Sequence, residues 1–133
     1  MYRVLIPIDN DEDRALRQAK FVTDQPYDLS EVEVVLTHVL LGEEKQAPEA
    51  MQRPSRVVTV KRAREHLESH DVSVTIAEAG APPEDGILDL AKDVDADHIV
   101  MGGRKRSPAG KAVFGSVTQT VILESDVPVT VTG

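Results

Sequence analysis

The sequence predicts an α/β fold, a single doubly wound domain on a five-stranded parallel sheet. Three observations predict it. Short apolar, β-branched runs alternate with stretches of helical period along the whole chain, which implies right-handed crossovers and a sheet covered on both sides. Aromatics are scarce, with Tyr2, Phe21, Tyr27 and Phe114 the only ones, so the core is left to Val, Leu, Ile and Ala, a composition suited to strands buried on both faces. The length of 133 residues suffices for one packed domain and is too short for two comfortable ones.

The elements follow in order. YRVLIPID, residues 2–9, is a compact apolar run ended by Pro7 and Asp9, and it reads as a buried strand. NDEDRALRQAKFVTD places acids in a first helical turn and Ala15, Leu16, Ala19 and Val22 at helical spacing. EVEVVLTHVL is the second strand, and LGEEKQAPEAMQR, with no clean period, reads as a mobile loop. Pro54 and Ser55 open a helix running to His70, with Val58, Ala63 and Leu67 facing inward.

DVSVTIAEAG alternates as the third strand, and Pro82 or Pro83 starts a helix whose apolar face is Ile87, Leu88 and Ala91. ADHIVMGG is the fourth strand, FGSVTQTVILES a helix beginning at a glycine, and VPVTVTG the fifth strand, with Val127, Val129 and Val131 on one face. No internal repeat, linker or low-complexity segment interrupts this pattern.

Composition excludes several function classes. There is no cysteine, so neither a disulfide framework nor a thiolate metal site is available. No apolar run approaches the roughly 20 residues of a membrane span, and the N-terminus enters a strand directly, without a signal peptide, so an intracellular, cytoplasmic protein without membrane partners is expected. The net charge of −8 argues against nucleic-acid binding. Abundant aspartate, and arginine in excess of lysine, point to a halophilic, high-salt cytosol, with an ordinary acidic surface as the alternative.

Against that acidity, Arg104, Lys105, Arg106 and Lys111 stand within one short stretch. Without them the chain carries 11 cations against 23 acids, so the positive charge is concentrated there. The stretch is rich in glycine and leads to a helix start at Gly115 and Ser116, where free backbone N–H groups and the helix dipole favour an anion. In doubly wound sheets ligands bind beyond the carboxyl ends of the strands, which directs attention to Asp9 and Gly102.

Two phosphate-binding motifs fail. A Walker A loop needs Ser or Thr after Gly110-Lys111, where Ala112 stands, and a glycine where Lys105 stands. A dinucleotide fingerprint needs glycines after the first strand, and PIDNDEDRA has none. His66 and His70 are four apart, but HLESH lacks the order of a zinc-protease helix, so no metal site is expected. Ser116 has no evident base and no G-x-S-x-G elbow, so no catalytic residue is assigned.

The pattern that fits is G-x-x-G-x(9)-G-[S/T] between the last two strands, joined to a first strand ending in Pro-x-Asp. With VLIPID, LTHVL, GAPPEDGILDLAKDVDADHIVMGGRKRS and FGSVTQTVILESDVPVTVTG it spans nearly the whole chain and resembles the universal stress protein family. Together with the alternation above, the resemblance implies strand order 3-2-1-4-5, two helices on each face, and one universal stress protein domain over residues 1–133.

It further implies a stress-response regulatory module that binds ATP or a related adenine nucleotide, with or without Mg2+. Pro7 and Asp9 would line the base and ribose, and Val39 would offer backbone to adenine. Met101, Gly102 and Arg104 would form the near wall, and Gly115, Ser116 and Val117 would hold the phosphates. Lys105 occupies the motif's second glycine, where it either obstructs close approach or replaces a backbone contact with a charge. The family's habit of pairing its last strand implies a homodimer through residues 127–133.

Alternatives remain at each position. Asp9 could cap the helix beginning near Asn10, the glycines could simply turn the chain, Met101 could be core, and the cations could serve a second subunit. A family member acting through protein contacts alone, or a slow nucleotide hydrolase, are the competing functions.

Overall fold

The computed structural model of the chain describes residues 1–39, 57–103 and 115–132. The elements are β1 (Tyr2–Ile8), α1 (Glu12–Thr23), a single 3-10 turn (Leu29–Glu31), β2 (Val32–His38), α2 (Val58–Ser69), β3 (Ser73–Ile76), α3 (Pro83–Asp93), β4 (His98–Gly102), α4 (Ser116–Glu124) and β5 (Val129–Thr132). All four strand pairings are parallel and the order is β3-β2-β1-β4-β5, as expected. The expected loop at 41–53 and the helix start at Pro54 and Ser55 lie outside the described residues.

Period-two alternation divides the sheet's side chains between two cores. Val4, Ile6, Ile8, Val34, Leu36 and Val100 pack with Ala15, Ala19 and Val22 of α1 and Val60, Ala63 and Leu67 of α2. Leu5, Val35, Ile99 and Met101 face the other way, against Ile87, Leu90 and Ala91 of α3 and Val117 and Val121 of α4. Two helices therefore cover each face. Val127, Val129 and Val131 pack against the second core from the sheet edge, on the face expected of them.

The helices differ from the sequence reading in which residues they bury. In α1 the buried stripe is Ala15, Gln18, Ala19 and Val22, with Leu16 half-buried. In α2 Val58 is 60% exposed, and Thr59 and Val60 point inward instead, since they stand four and three residues before Ala63, the spacings that share a helix face. In α3 Pro83 is the first helical residue and Leu90 replaces Leu88 on the fully buried face. β3 is shorter than its alternating text, ending at Ile76.

The amino ends of the central strands are tied by Arg3 and a small aromatic group. Arg3 donates from its guanidinium to the Val94 carbonyl at 2.5 Å and to Glu33 at 3.3 Å, while its backbone N–H donates to Asp97 at 2.9 Å. His98 packs edge-on against Phe21 and Tyr2, and its Nε2 lies 2.7 Å from the Thr130 hydroxyl. At the far end of α1, His66 Nε2 meets the Thr23 hydroxyl at 2.9 Å and joins α2 to α1.

Burial lowers the pKa of His98, and burial followed by the charges of His70 and Lys20 lowers that of His66, with Asp24 opposing. The folded chain thus resists a proton that the unfolded chain accepts. Stability from these sites is complete above the ordinary histidine value of 6.5 and is lost as pH falls below it. Thermal melts should show a lower midpoint at about pH 5.5 than at about pH 7.5. His98→Gln, which keeps a neutral partner for Thr130, should narrow that gap, and an unchanged gap would remove His98 from the account.

Candidate functional site

β1 pairs with β4 only through Val4 with His98 and Leu5 with Ile99. Beyond these residues the two strands part, because α1 leaves β1 on one face while α4 follows β4 on the other. Gln18 of α1 reaches into the opening. Its Nε2 donates to the Pro7 carbonyl at 2.7 Å on one side and to the Val100 carbonyl at 3.1 Å on the other, holding the split at a fixed width. Its Oε1 is buried and has no hydrogen-bond partner.

Asp9 lies at the carboxyl end of β1 and is only 6% exposed. A carboxylate so placed needs partners. Oδ1 accepts the Asp11 N–H at 3.0 Å, Oδ2 forms a close ion pair with Arg14, and the Asp9 carbonyl accepts the Thr59 hydroxyl at 2.5 Å. Asp9 is not the cap of α1: Asp11 is, its carboxylate accepting the Arg14 N–H at 2.9 Å. Arg14 then bridges the split above Gln18, since its Nε donates to the Gly103 carbonyl at 3.2 Å.

The remaining expected residues among those described lie at the carboxyl ends of β1, β2 and β4 and at the start of α4. Pro7 is buried beside it, in register with Thr37 of β2, whose hydroxyl is buried without a partner. Val39 follows β2, and its N–H donates to the Ile8 carbonyl at 2.9 Å, so the backbone group it can turn outward is its carbonyl. His38 Nε2 lies 2.8 Å from the Asn10 side chain, closing the turn after β1 onto the end of β2. Met101 belongs to the core under α3 and α4 and is 4% exposed.

The two glycines at the end of β4, Gly102 and Gly103, are fixed by contact. A Cβ on Gly102 would stand 2.4 Å from the Arg14 stem, and one on Gly103 would stand 2.3 Å from the Thr132 carbonyl of β5. Gly115 caps α4 with no side-chain bond and no acid in the first turn; Ser116 is exposed there and Val117 is buried. Arg104 and Lys105 lie outside the described residues. Among the described residues no group of three or more His, Asp or Glu is arranged to hold a metal ion.

Chemically, Asp9 offers a buried carboxylate for hydroxyl or amine donors, Val39 a carbonyl for an amine, and the start of α4, whose Gly115 cap makes no side-chain bond, a place for an anion. The sequence reading missed Arg14, Gln18 and Thr59. Gln18 carried a signal, being the polar residue on the Ala15–Ala19–Val22 stripe. Arg14 carried one too, as a cation in the first turn of a helix, where the dipole disfavours positive charge.

This fold, with its carboxyl-end opening, defines a doubly wound parallel α/β domain, the class that takes ligands beyond its strand ends. The sequence profile of the universal stress protein family matches residues 1–133, and the chain belongs to that family. A universal stress protein of Mycolicibacterium smegmatis is 35% identical over 72 residues, which cover 47% of this chain and 55% of that protein. The chain thus spans about half the length of that relative. The solved universal stress protein of Archaeoglobus fulgidus is similar over 100% of this chain and 99% of its own, at 30% identity and a TM-score of 0.74. A structure of the Archaeoglobus fulgidus protein in complex with dAMP superposes with a TM-score of 0.73 at 26% identity, over 100% of this chain and 98% of that one.

The contact at Gly103 is with backbone, which cannot swing aside. Gly103→Ala should therefore destabilise the chain by about 1–3 kcal/mol in urea unfolding. Gly80→Ala, where an added Cβ meets nothing within 4 Å, is the matched control and should be close to neutral. Equal effects of the two substitutions would show that β4 and β5 can separate at no cost.

Proposed function

We propose that residues 1–133 form one cytoplasmic regulatory domain that binds an adenine nucleotide in the opening between β1 and β4 and acts in stress response as a homodimer. The observation that carries the nucleotide reading is Asp9, a carboxylate held nearly out of solvent at the lip of the split. Its position suits the hydroxyls of a ribose. Adenine would lie toward Pro7 and the Val39 carbonyl, and Met101 and Gly102 would back the sugar. The phosphates would run to Gly115, Ser116 and Val117, with Arg104 and Lys105 beside them. The dAMP complex of the Archaeoglobus fulgidus relative supports the same ligand class. ATP is the member of that class we expect, with or without Mg2+, and the domain works as a binder without catalytic residues.

Purified protein should release an adenine nucleotide on denaturation, identified by mass spectrometry. Asp9→Ala should weaken adenosine and ATP alike, by about threefold, since Asp9 is already paired with Arg14. Ser116→Ala should penalise ATP alone, by about 1.5–3 kcal/mol, the worth of a hydrogen bond to a charged group. Equal losses for both ligands in the Ser116 variant would remove it from the phosphate site.

For assembly the supporting observations are at the sheet edge. β5 is the last strand in the order, and an edge strand exposes backbone groups that proteins pair or cover. Val129 and Val131 are half-buried on it, and α4 beside it exposes Ile122 at 41% and Leu123 at 83%. Val129→Lys with Val131→Lys should give a monomer by light scattering, and a persisting dimer would place the interface elsewhere.

A further inference from the structure

Arg14 is an unexpected residue in this opening. It stands in the first turn of α1, where the helix dipole opposes a cation, yet its side chain is 20% exposed and fully engaged. Its stem crosses Gly102 so closely that no Cβ fits there, and its Nε is fixed on the Gly103 carbonyl at 3.2 Å. Its Nη1 pairs with Asp9 Oδ2, and its Nη2 lies 3.7 Å from Asp11. The Asp9 carboxylate thus has one oxygen on the Asp11 N–H and the other on the guanidinium. Both of its oxygens are already engaged.

We infer that Arg14 sets the sugar specificity of the site: by occupying Asp9, it makes this chain nearly indifferent to the ribose hydroxyls of an adenine nucleotide. The inference rests on the nucleotide reading above. A hydroxyl that donates to Asp9 adds to a carboxylate whose charge is already shared with a guanidinium and a backbone N–H, so it gains less than from a free acceptor, and a ligand without it leaves neither oxygen unpaired. A site with its carboxylate free would behave oppositely. It would favour the hydroxylated sugar strongly, because a ligand lacking the hydroxyl leaves the buried acceptor unpaired.

The discriminating quantity is the ratio of AMP affinity to 2′,3′-dideoxy-AMP affinity, since the phosphate and base terms are common to both and cancel. Calorimetry on the intact chain should give a ratio within about threefold, and Arg14→Ala should raise it to about tenfold or more, the value of a released hydrogen bond to a charged acceptor. Arg14→Gln, which keeps the stem over Gly102 without the charge, should shift the ratio the same way and serves if the alanine variant does not fold. A wild-type ratio already at tenfold, or a ratio unchanged in both folded variants, overturns the inference while leaving nucleotide binding intact. If neither nucleotide binds wild type or either folded variant, the nucleotide reading itself fails and the inference with it.

Discussion

The hinge of this structure is the side-chain amide of Gln18. A doubly wound sheet must part where its crossovers leave on opposite faces, and the parting exposes strand carbonyls that have lost a neighbour. Here the Pro7 and Val100 carbonyls share one amide nitrogen, supplied by a helix already packed on that face. One side chain therefore satisfies both walls of the split and sets their separation. Everything at the carboxyl edge is positioned from it: Asp9 two residues beyond Pro7, and the two glycines two and three residues beyond Val100.

The second constraint is the cost of burying Asp9. An ionised carboxylate out of water is tolerated only when paired and hydrogen-bonded. The chain meets this with a backbone N–H from the start of α1, a guanidinium from its first turn, and, on the adjacent carbonyl, a hydroxyl from α2. Three groups from two helices thus converge on one residue. The same convergence gives Asp9 a defined direction, and it ties Arg14 to Asp9 by necessity and not by motif.

Most of the fold was legible because parallel strands buried on both faces leave an unbroken apolar signature, and all five were found where β1 to β5 lie. The helix faces were read less well. Val58 stands five residues before Ala63, about 140° round the helix from it, so the Ala63–Leu67 face takes Thr59 and Val60, and Leu88 and Leu90 are distinguished by a rotation that periodicity does not resolve. The polar members of the site were harder still. Asp9 and Gly102 announce themselves by position at strand ends, whereas Arg14, Gln18 and Thr59 act through distances that only the packed helices define. A rule that ranks polar residues on an apolar stripe would have found Gln18. Nothing local marks Thr59 as a partner of the Asp9 carbonyl.

Charge completes the argument for where an anion would lie. The helices that begin at α1 and α3 carry their own counter-anions, Glu12 and Asp13 in one and Glu84 and Asp85 in the other, so their dipoles are already complemented. α4 carries none, and its cap, Gly115, contributes no side chain. α2 also starts without an acid, but its Thr59 hydroxyl reaches the Asp9 carbonyl, which brings that terminus beside a carboxylate residue. In a chain with 23 acids, omitting them from the start of α4 matters most when the charge arrives from outside. A phosphate there would meet free N–H groups without a neighbouring carboxylate to repel it, while the sugar end of the same ligand met Asp9 already neutralised by Arg14. Under the proposed function, a ligand that is anionic at one end only would suit that pair of charges.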